Sequence, residues 1–350
     1  NSNASDRDFL IAKTPTSASQ EHHSVSTHQL MSFLIPVFVG CLAVYLAWRL
    51  IPRSNVEIKD KYVLITGCDS GFGRKTAIRL DEMGVRVIAT CLTKEGEQNL
   101  KSVTSDRLKT FQMDVTNSQH IRDVFDEVER RIPDETGLWG LVNNAGIHIQ
   151  SPIDWQPLDN FKRIADVNLW GMIDVTKTFL PLVKKARGRV VTFSSTAGRI
   201  AFSCIAPYAV TKYGVEAFSD ALRREMYSWG IKVSIMEPGC FQTGMTQPAA
   251  IERQLRQCWN NLSDELKKEY GEEYLEKSIA LSTLVSPSGR TGDVVDAVVD
   301  ALTSQTPRDR YLIGFDAKFI FAWLALFPTS MADFILKRMV PQDLVPLGSK

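Results

Sequence analysis

The sequence predicts an α/β fold, a doubly wound parallel sheet with helices on both faces, and three observations carry the prediction. Six short runs of β-branched and apolar residues recur along the chain, amphipathic stretches separate them, and a glycine-rich turn follows the first. Apolar runs of strand length alternating with helical patterns imply βαβ units whose strands are buried on both faces. At 350 residues the chain exceeds one ordinary domain, yet an α/β unit of roughly 250 residues often folds as one body, so one large domain with tails is expected. No internal repeat of about 20 to 50 residues is visible, which removes solenoids and propellers.

The elements follow in order. Residues 1–29 are rich in Ser, Asn, Gln, Thr and His; such a segment buries too little apolar surface to offset its ordering entropy, so a disordered polar tail is expected. Residues 30–50 read LMSFLIPVFVGCLAVYLAWRL, with one charge near the end. That is the length a helix needs to cross a bilayer core, and residues 30–51 are expected to form a single transmembrane anchor. A cleaved signal peptide is the rival reading, but the apolar run exceeds the usual h-region of about 7 to 15 residues and lacks a clear small-residue cleavage site.

The main domain is expected over residues 58–315. Its strands are read at YVLIT (62–66), VRVIAT (85–90), LKTFQMDV (108–115), GLVNNAG (140–146), GRVVTFSS (188–195) and KVSIMEPG (232–239). Residues 245–285, through the charged LSDELKKEYGEEYLEK, predict an inserted helical pair with an apolar stripe. KFIFAWLALFPTS (318–330) is apolar but broken by Pro328. It is too short for a second span, and residues 316–350 are expected to associate with a membrane surface.

Composition excludes several classes. Lys and Arg total 41 against 40 Asp and Glu, so no electrostatic argument favours a nucleic acid or a polyanionic substrate. Cys41, Cys68, Cys91, Cys204, Cys240 and Cys258 lie far apart without a C-x-x-C pair, and no metal site is expected. His22, His23 and His28 fall in the tail while His120 and His148 are isolated, which leaves a Ser-His-Asp hydrolase without support.

The first strand leads into T-G-C-D-S-G-F-G (66–73) and a helical pattern. A glycine-rich turn between strand and helix lets the backbone approach a pyrophosphate, whose charge the helix N-terminus stabilises. By itself such a turn serves either as a structural turn or as the phosphate loop of a Rossmann-type dinucleotide site. Farther on, Ser195 closes the fifth run, and Y-A-V-T-K follows with Tyr208 and Lys212 at i and i+4, on one helix face. Moving a hydride to or from a carbinol carbon requires a proton to leave or join the oxygen. A phenol with an ordinary pKa near about 10 is a poor base at neutral pH, and an adjacent ammonium lowers that value.

The spacing of Gly67, Gly71 and Gly73, the Asn143-Asn144-Ala145-Gly146 turn, Asn168, Ser195 and the Tyr208/Lys212 pair together resemble the short-chain dehydrogenase/reductase family, over residues 62–341. The resemblance implies an alcohol dehydrogenase with Tyr208 as acid/base, Lys212 lowering its pKa and holding the nicotinamide ribose, Ser195 bonding the substrate oxygen, and Asn168 supporting a water-linked proton relay. It also implies cofactor contacts from Gly67, Ser70, Gly71, Phe72, Gly73, Asp114, Val115, Asn144, Ala145, Gly146, Tyr208, Lys212, Pro238, Gly239 and Thr243. NAD is the expected cofactor and NADP stays open. Thr90 and Cys91 stand where a discriminating acid is expected, and Arg74 or Lys94 are the candidates to meet a 2′-phosphate.

TGCDSGFG, GLWGLVNNAG and the segment 310–336 are similar to the branch of retinol and 17β/3α-hydroxysteroid dehydrogenases. That implies a lipophilic substrate, with residues 245–285 as substrate-loop helices, contact with membrane lipid, and a single-pass location in the endoplasmic reticulum membrane; a homodimer is compatible with it. Arg49, Arg53, Lys59 and Lys61 follow the anchor, against Arg7 and Lys13 before it, which points the catalytic domain to the cytosol; the sequon Asn261-Leu262-Ser263 points the other way. A hydroxyacid dehydrogenase like the 3-hydroxybutyrate relative, and a non-catalytic lipid-binding scaffold, are the rival functions.

Overall fold

The computed structural model describes residues 36, 37, 39, 40, 43, 44, 54–284, 287–339 and 344–349. They fall into two units, Asn1–Arg53 and Ser54–Lys350. In the first, Pro36, Val37, Val39, Gly40, Ala43 and Val44 are helical and exposed. The expected tail at 1–29 and most of the expected anchor at 30–51 lie outside the described residues. No helix among the described residues is long and apolar enough to cross a membrane.

The second unit is built on seven strands: β1 (Tyr62–Ile65), β2 (Arg86–Cys91), β3 (Lys109–Gln112), β4 (Gly140–Asn143), β5 (Arg189–Phe193), β6 (Lys232–Pro238) and β7 (Arg310–Ile313). They form one sheet in the order β3-β2-β1-β4-β5-β6-β7, every pair parallel. The first six fall on the runs read from the sequence. The seventh extends the sheet beyond them.

Strand residues alternate between two cores, as a period of two requires. On β1, Val63 and Ile65 face one core and Leu64 the other; on β2, Val87 and Ala89 face the first and Ile88 the second. The first face is covered by α1 (Gly71–Glu82) through Ala77 and Leu80 and by a later helix, Gly292–Thr303, through Val294 and Val298. Between β2 and β3 lies α2 (Lys94–Lys101), and after β3 comes α3 (Ser118–Arg131). On α3, Ile121, Val124 and Val128 repeat at helical spacing and cover the second face. Each Val, Leu or Ile so buried stabilises the fold by about 1.5 to 3 kcal/mol relative to exposure.

After β4 the chain forms α4 (Leu158–Ala165), a π-helical stretch Asp166–Gly171, and α5 (Met172–Ala186). Then comes α6 (Ala206–Glu225), which leads to β6. Arg310 on β7 ties α6 to β6: it pairs with Glu216, with Asp220 at 2.9 Å and with fully buried Glu237 at 2.7 Å. Residues 245–285 form α7 (Pro248–Asn260), α8 (Asp264–Tyr270) and α9 (Glu272–Leu284), three helices where the pattern suggested two. Gly271, at φ +79°, ends α8 in a conformation that an L side chain rarely adopts. These helices pack on Trp155 through Ile251, Leu255, Leu275 and Ile279. The helix Gly292–Thr303 is α10, and two more, α11 (Ala322–Leu324) and α12 (Thr329–Met339), follow β7. Beyond Gly314 an apolar surface stands open, with Phe315, Phe319, Trp323, Leu326, Met331 and Phe334 exposed.

Candidate active site

Because β1 neighbours both β2 and β4, the strand order reverses there, and the C-terminal ends of these strands flank the crevice in which such sheets bind ligands. The glycine loop follows β1, the N-N-A-G turn begins at the end of β4, Ser195 follows β5 and Pro238 closes β6. A cleft of about 590 Å³ runs along this edge.

The cofactor half is a backbone cradle. Ser70 stands at the N-cap of α1 without a side-chain cap hydrogen bond, and Ser70, Gly71 and Phe72 line the cleft, so the first N–H groups of the helix are left for a ligand there. Gly71 has φ +61° and a Cβ there would meet nothing within 4 Å, so the loop faces open space. At Gly73 a Cβ would strike the Asn144 side-chain nitrogen and come within 2.5 Å of the Gly67 carbonyl. Asn144 locks the two loops together: its Nδ2 donates to the carbonyls of Thr66 at 2.8 Å and Gly67 at 2.9 Å, while the N–H groups of Asn144 and Ala145 donate to Thr66 Oγ1 at 3.0 Å. Asp114 is held by Thr116, whose N–H and hydroxyl donate to its Oδ1 at 2.9 and 2.8 Å. An open glycine turn at a helix N-terminus fits a dinucleotide pyrophosphate.

The β2 end differs from the sequence reading. Thr90 and Cys91 are buried in the sheet and do not reach the cleft. The wall there is Asp69, Leu92 and Thr93, and Asp69 accepts from the N–H groups of Leu92 and Thr93 at 2.8 and 2.9 Å and from the Thr93 hydroxyl at 2.8 Å. Neither Arg74 nor Lys94 lines the cleft.

At the other end Ser195, Tyr208 and Lys212 share the cleft with Pro238, Gly239 and Thr243. Ser195 Oγ accepts from the Ala197 N–H at 3.1 Å. Burial pushes the Tyr208 phenol up to about 12, against a lowering hydrogen bond with Ser195. Lys212 donates from Nζ to the Phe193 carbonyl at 2.8 Å and stands 5.4 Å from the centre of the Tyr208 ring. Burial pushes this ammonium down to about 8, opposed by Glu216 one turn on. The expected lowering of the phenol by Lys212 is therefore not what dominates in the chain alone, because loss of hydration disfavours the phenolate more strongly.

Of the catalytic and cofactor contacts that the family resemblance implied, Gly73 and Asn168 do not line the cleft. Gly73 acts through its close approach to Asn144. Asn168, buried in the π-helical stretch, accepts from the Ile147 N–H at 2.8 Å and donates to the Ile147 carbonyl at 2.9 Å and to Thr211 Oγ1 at 3.2 Å. Single π turns recur at functional sites because they re-aim one side chain without breaking the helix. The sequence reading passed over Asp69 as a cleft residue, and also His148, Met245 and Gln254, which line the same cleft. For His148 a signal existed, since it stands two residues beyond the N-N-A-G turn. Among the described residues no cluster of three His, Cys, Asp or Glu is placed to hold a metal.

Comparison with known proteins agrees with this geometry. Residues 61–254 match the sequence model of the family described as short chain dehydrogenase. The chain is 45% identical to 17-beta-hydroxysteroid dehydrogenase type 6 of Homo sapiens, covering 89% of this chain and 98% of that protein. It is 46% identical to retinol dehydrogenase 7 of Rattus norvegicus, covering 80% and 89%. Among solved structures, a short-chain dehydrogenase from Streptomyces avermitilis aligns with a TM-score of 0.62 at 24% identity, over 81% of this chain and 96% of that one. A short chain dehydrogenase from Burkholderia cenocepacia, solved with NADP, aligns with a TM-score of 0.62 at 20% identity, over 82% and 100%. The chain belongs to the short-chain dehydrogenase/reductase family. Within it, the chain falls in the branch of retinol and 17β-hydroxysteroid dehydrogenases, as an NAD(P)-dependent oxidoreductase of alcohols.

Proposed function

We propose that this enzyme interconverts a neutral lipophilic alcohol and its carbonyl, of the retinoid or hydroxysteroid kind, at a membrane surface and with NAD as preferred cofactor. The observation that carries the reading is the cleft itself: Ser195, Tyr208 and Lys212 meet at one end, and among the described residues that line it Lys212 is the one Lys or Arg. A carboxylate substrate calls for a second cation beside the reacting carbon, so this favours a neutral alcohol over the hydroxyacid reading. The non-catalytic scaffold reading loses ground because Asn168, Ser195, Tyr208 and Lys212 are all present.

In this reading Tyr208 gives a proton to the carbonyl oxygen in reduction and takes it in oxidation, and Ser195 holds that oxygen in place by hydrogen bonding. Lys212 steadies the ribose and keeps positive charge near the phenol, while Asn168 fixes the chain at Ile147 that walls the site. Nicotinamide dinucleotide, when bound, supplies the hydride acceptor or donor. Gly67, Ser70, Gly71, Phe72, Asp114, Val115, Asn144, Ala145, Gly146, Pro238, Gly239 and Thr243 would hold it. A carboxylate at Asp69, with no cation among the described residues of the β2 wall, favours a ribose hydroxyl over a 2′-phosphate.

Residues 30–51 as an anchor, helices at 245–285 as the substrate loop and the apolar surface of residues 316–350 complete the proposal, with the endoplasmic reticulum membrane as the location. The exposed aromatic residues beyond Gly314 support it, since patches of this kind mark membrane or protein contacts. Exposed Val210 and Tyr213 on α6 support a homodimer. The test is a turnover screen of the purified protein with retinol, hydroxysteroids and 3-hydroxybutyrate, each with NAD and NADP. Turnover of a retinoid or steroid above hydroxybutyrate supports the reading; hydroxybutyrate as the best substrate refutes it.

A further inference from the structure

We propose that Asp316 is a positioning residue: from beyond β7 its carboxylate holds the turn at 238–240 where that turn closes the nicotinamide end of the cleft. This deepens the NAD-dependent alcohol dehydrogenase reading and rests on it. Three features of the structure lead there.

The first is how the turn is held. Pro238 and Gly239 line the cleft with Ser195, Tyr208 and Thr243, and the Ser195 hydroxyl donates to the Pro238 carbonyl at 3.5 Å. The turn therefore touches the group assigned to the substrate oxygen. Its backbone is tied on one side to Ser288, whose N–H donates to the Cys240 carbonyl and whose carbonyl accepts from the Gln242 N–H, both at 2.9 Å. On the other side the Gly239 N–H donates to the Ile313 carbonyl at 2.9 Å, one step past the end of the β6–β7 pairing. There Gly314, at φ +106°, turns the second chain away. The next amide of the turn, the Cys240 N–H, is met by Asp316 instead, donating to its Oδ2 at 2.7 Å.

The second is the fit. A Cβ on Gly239 would lie 2.2 Å from both carboxylate oxygens of Asp316, and one on Gly314 would lie 2.6 Å from its Oδ1. Two glycines from different segments thus leave room for one carboxylate, the close approach that only glycine permits. A Cβ on Gly314 would also come within 3.3 Å of the Phe241 ring, which lines the cleft and meets Phe72 of the glycine loop edge to face, centres 5.9 Å apart. The carboxylate and this ring back the same stretch of wall.

The third is what the carboxylate does not do. Asp316 stands at the N-cap of the helical stretch Ala317–Phe321, where an Asp ordinarily accepts from the first N–H groups of its own helix. It makes no such bond. Among the described residues its side chain is bonded to Cys240 and to nothing else. A charge-assisted bond to a backbone N–H is stronger than a neutral one, and here it is placed on the cofactor turn rather than on the local helix.

The experiment compares NAD with ADP-ribose, a probe that lacks the nicotinamide, by calorimetric titration, beside turnover of the best alcohol from the screen. Asp316→Ala frees the Cys240 N–H and lets the turn shift. At saturating NAD its kcat should fall at least about tenfold, since a misplacement of about 1 Å suffices for such a loss. NAD should bind more weakly, while ADP-ribose binds as tightly as to wild type, because the glycine loop and the N-N-A-G turn hold that half. Asp316→Asn, whose amide oxygen still accepts from Cys240, should retain most of both. A merely structural role would weaken the two ligands together. Should Asp316→Ala not fold, Asp316→Leu, which matches the carboxylate in shape and accepts no hydrogen bond, gives the same comparison. Parallel losses for NAD and ADP-ribose, or wild-type kcat and NAD affinity in the Ala or Leu variant, overturn the assignment alone. Wild type that turns over no alcohol in the screen overturns the dehydrogenase reading and this assignment with it.

Discussion

At the scale of single residues, the site depends on how burial has tuned one phenol and one ammonium. Tyr208→Phe removes the atom that exchanges the proton and leaves the ring that packs. Turnover should fall by about 10² to 10⁴, the usual span of general acid–base contributions, with NAD binding retained by fluorescence titration. A variant keeping more than about a tenth of the rate would exclude Tyr208 as acid/base. The pH dependence follows from the two shifts. With the phenol pushed up to about 12, the acid form dominates at neutral pH and is ready for reduction. Lys212, pushed down to about 8, is charged below that value and neutral above it. In the free enzyme kcat/KM for reduction should accordingly be level between pH 6 and 7 and decline above about 8, whereas kcat/KM for oxidation should climb with pH from 6 to 7 as phenolate becomes accessible. A reductive profile that rises through pH 8 would contradict the assignment of the ammonium.

At the scale of elements, the turn between β1 and α1 is the part that tolerates least. Gly73→Ala places a methyl against the Asn144 amide and the Gly67 carbonyl, the atoms that join the glycine loop to the N-N-A-G turn. Overpacking of this sort costs about 1 to 3 kcal/mol, and cofactor affinity should fall at least about tenfold. Unchanged NAD affinity in calorimetry would show that the loop has room. The β2 end makes a separate prediction: kcat/KM should be higher with NAD than NADP, and Asp69→Asn should narrow the gap by removing a negative charge from the wall. These elements also show what the sequence made legible. Five strands announced themselves as apolar, β-branched runs because they are buried on both faces, whereas β3, at the sheet edge with only Thr110 buried, was read through the flanking Leu108, Met113 and Val115, which are buried. β7 did not, since only Tyr311 and Ile313 are buried on its four residues and Arg310 opens it as an ion-pair partner. The glycines, Ser195, Tyr208 and Lys212 were readable from spacing within single segments. Asp69 beside Leu92, and His148 beside Gln254, come from segments far apart in the chain, and only the folded backbone sets them side by side.

At the scale of the whole molecule, two separate stretches of the chain are candidates for contact with lipid, and truncation separates them. The folded unit begins at Ser54, where Val56 N–H already donates to the Thr303 carbonyl at 2.6 Å and Ile58 enters the core at 3% exposure. Deleting residues 1–52 therefore leaves every described contact of that unit in place, and its melting temperature should stay within a few degrees of the full chain, a change of under about 1 kcal/mol. The same deletion removes the apolar run 30–50, whose length matches a bilayer core. A spanning helix satisfies its own backbone in lipid and resists carbonate washing, so the full chain should stay in the pellet and the truncated chain should come off. Before the wash, the truncated chain should still bind vesicles, because Phe315, Phe319, Trp323 and Phe334 stand exposed, aromatic groups that partition to the bilayer interface. Replacing Phe319 and Trp323 by Ser in the truncated chain should abolish that binding. Activity toward a lipophilic alcohol offered in liposomes should drop with it more than activity toward the same alcohol in detergent. Full-length protein in the soluble fraction would refute the anchor. Equal losses in the two presentations would refute the idea that substrate arrives from the bilayer.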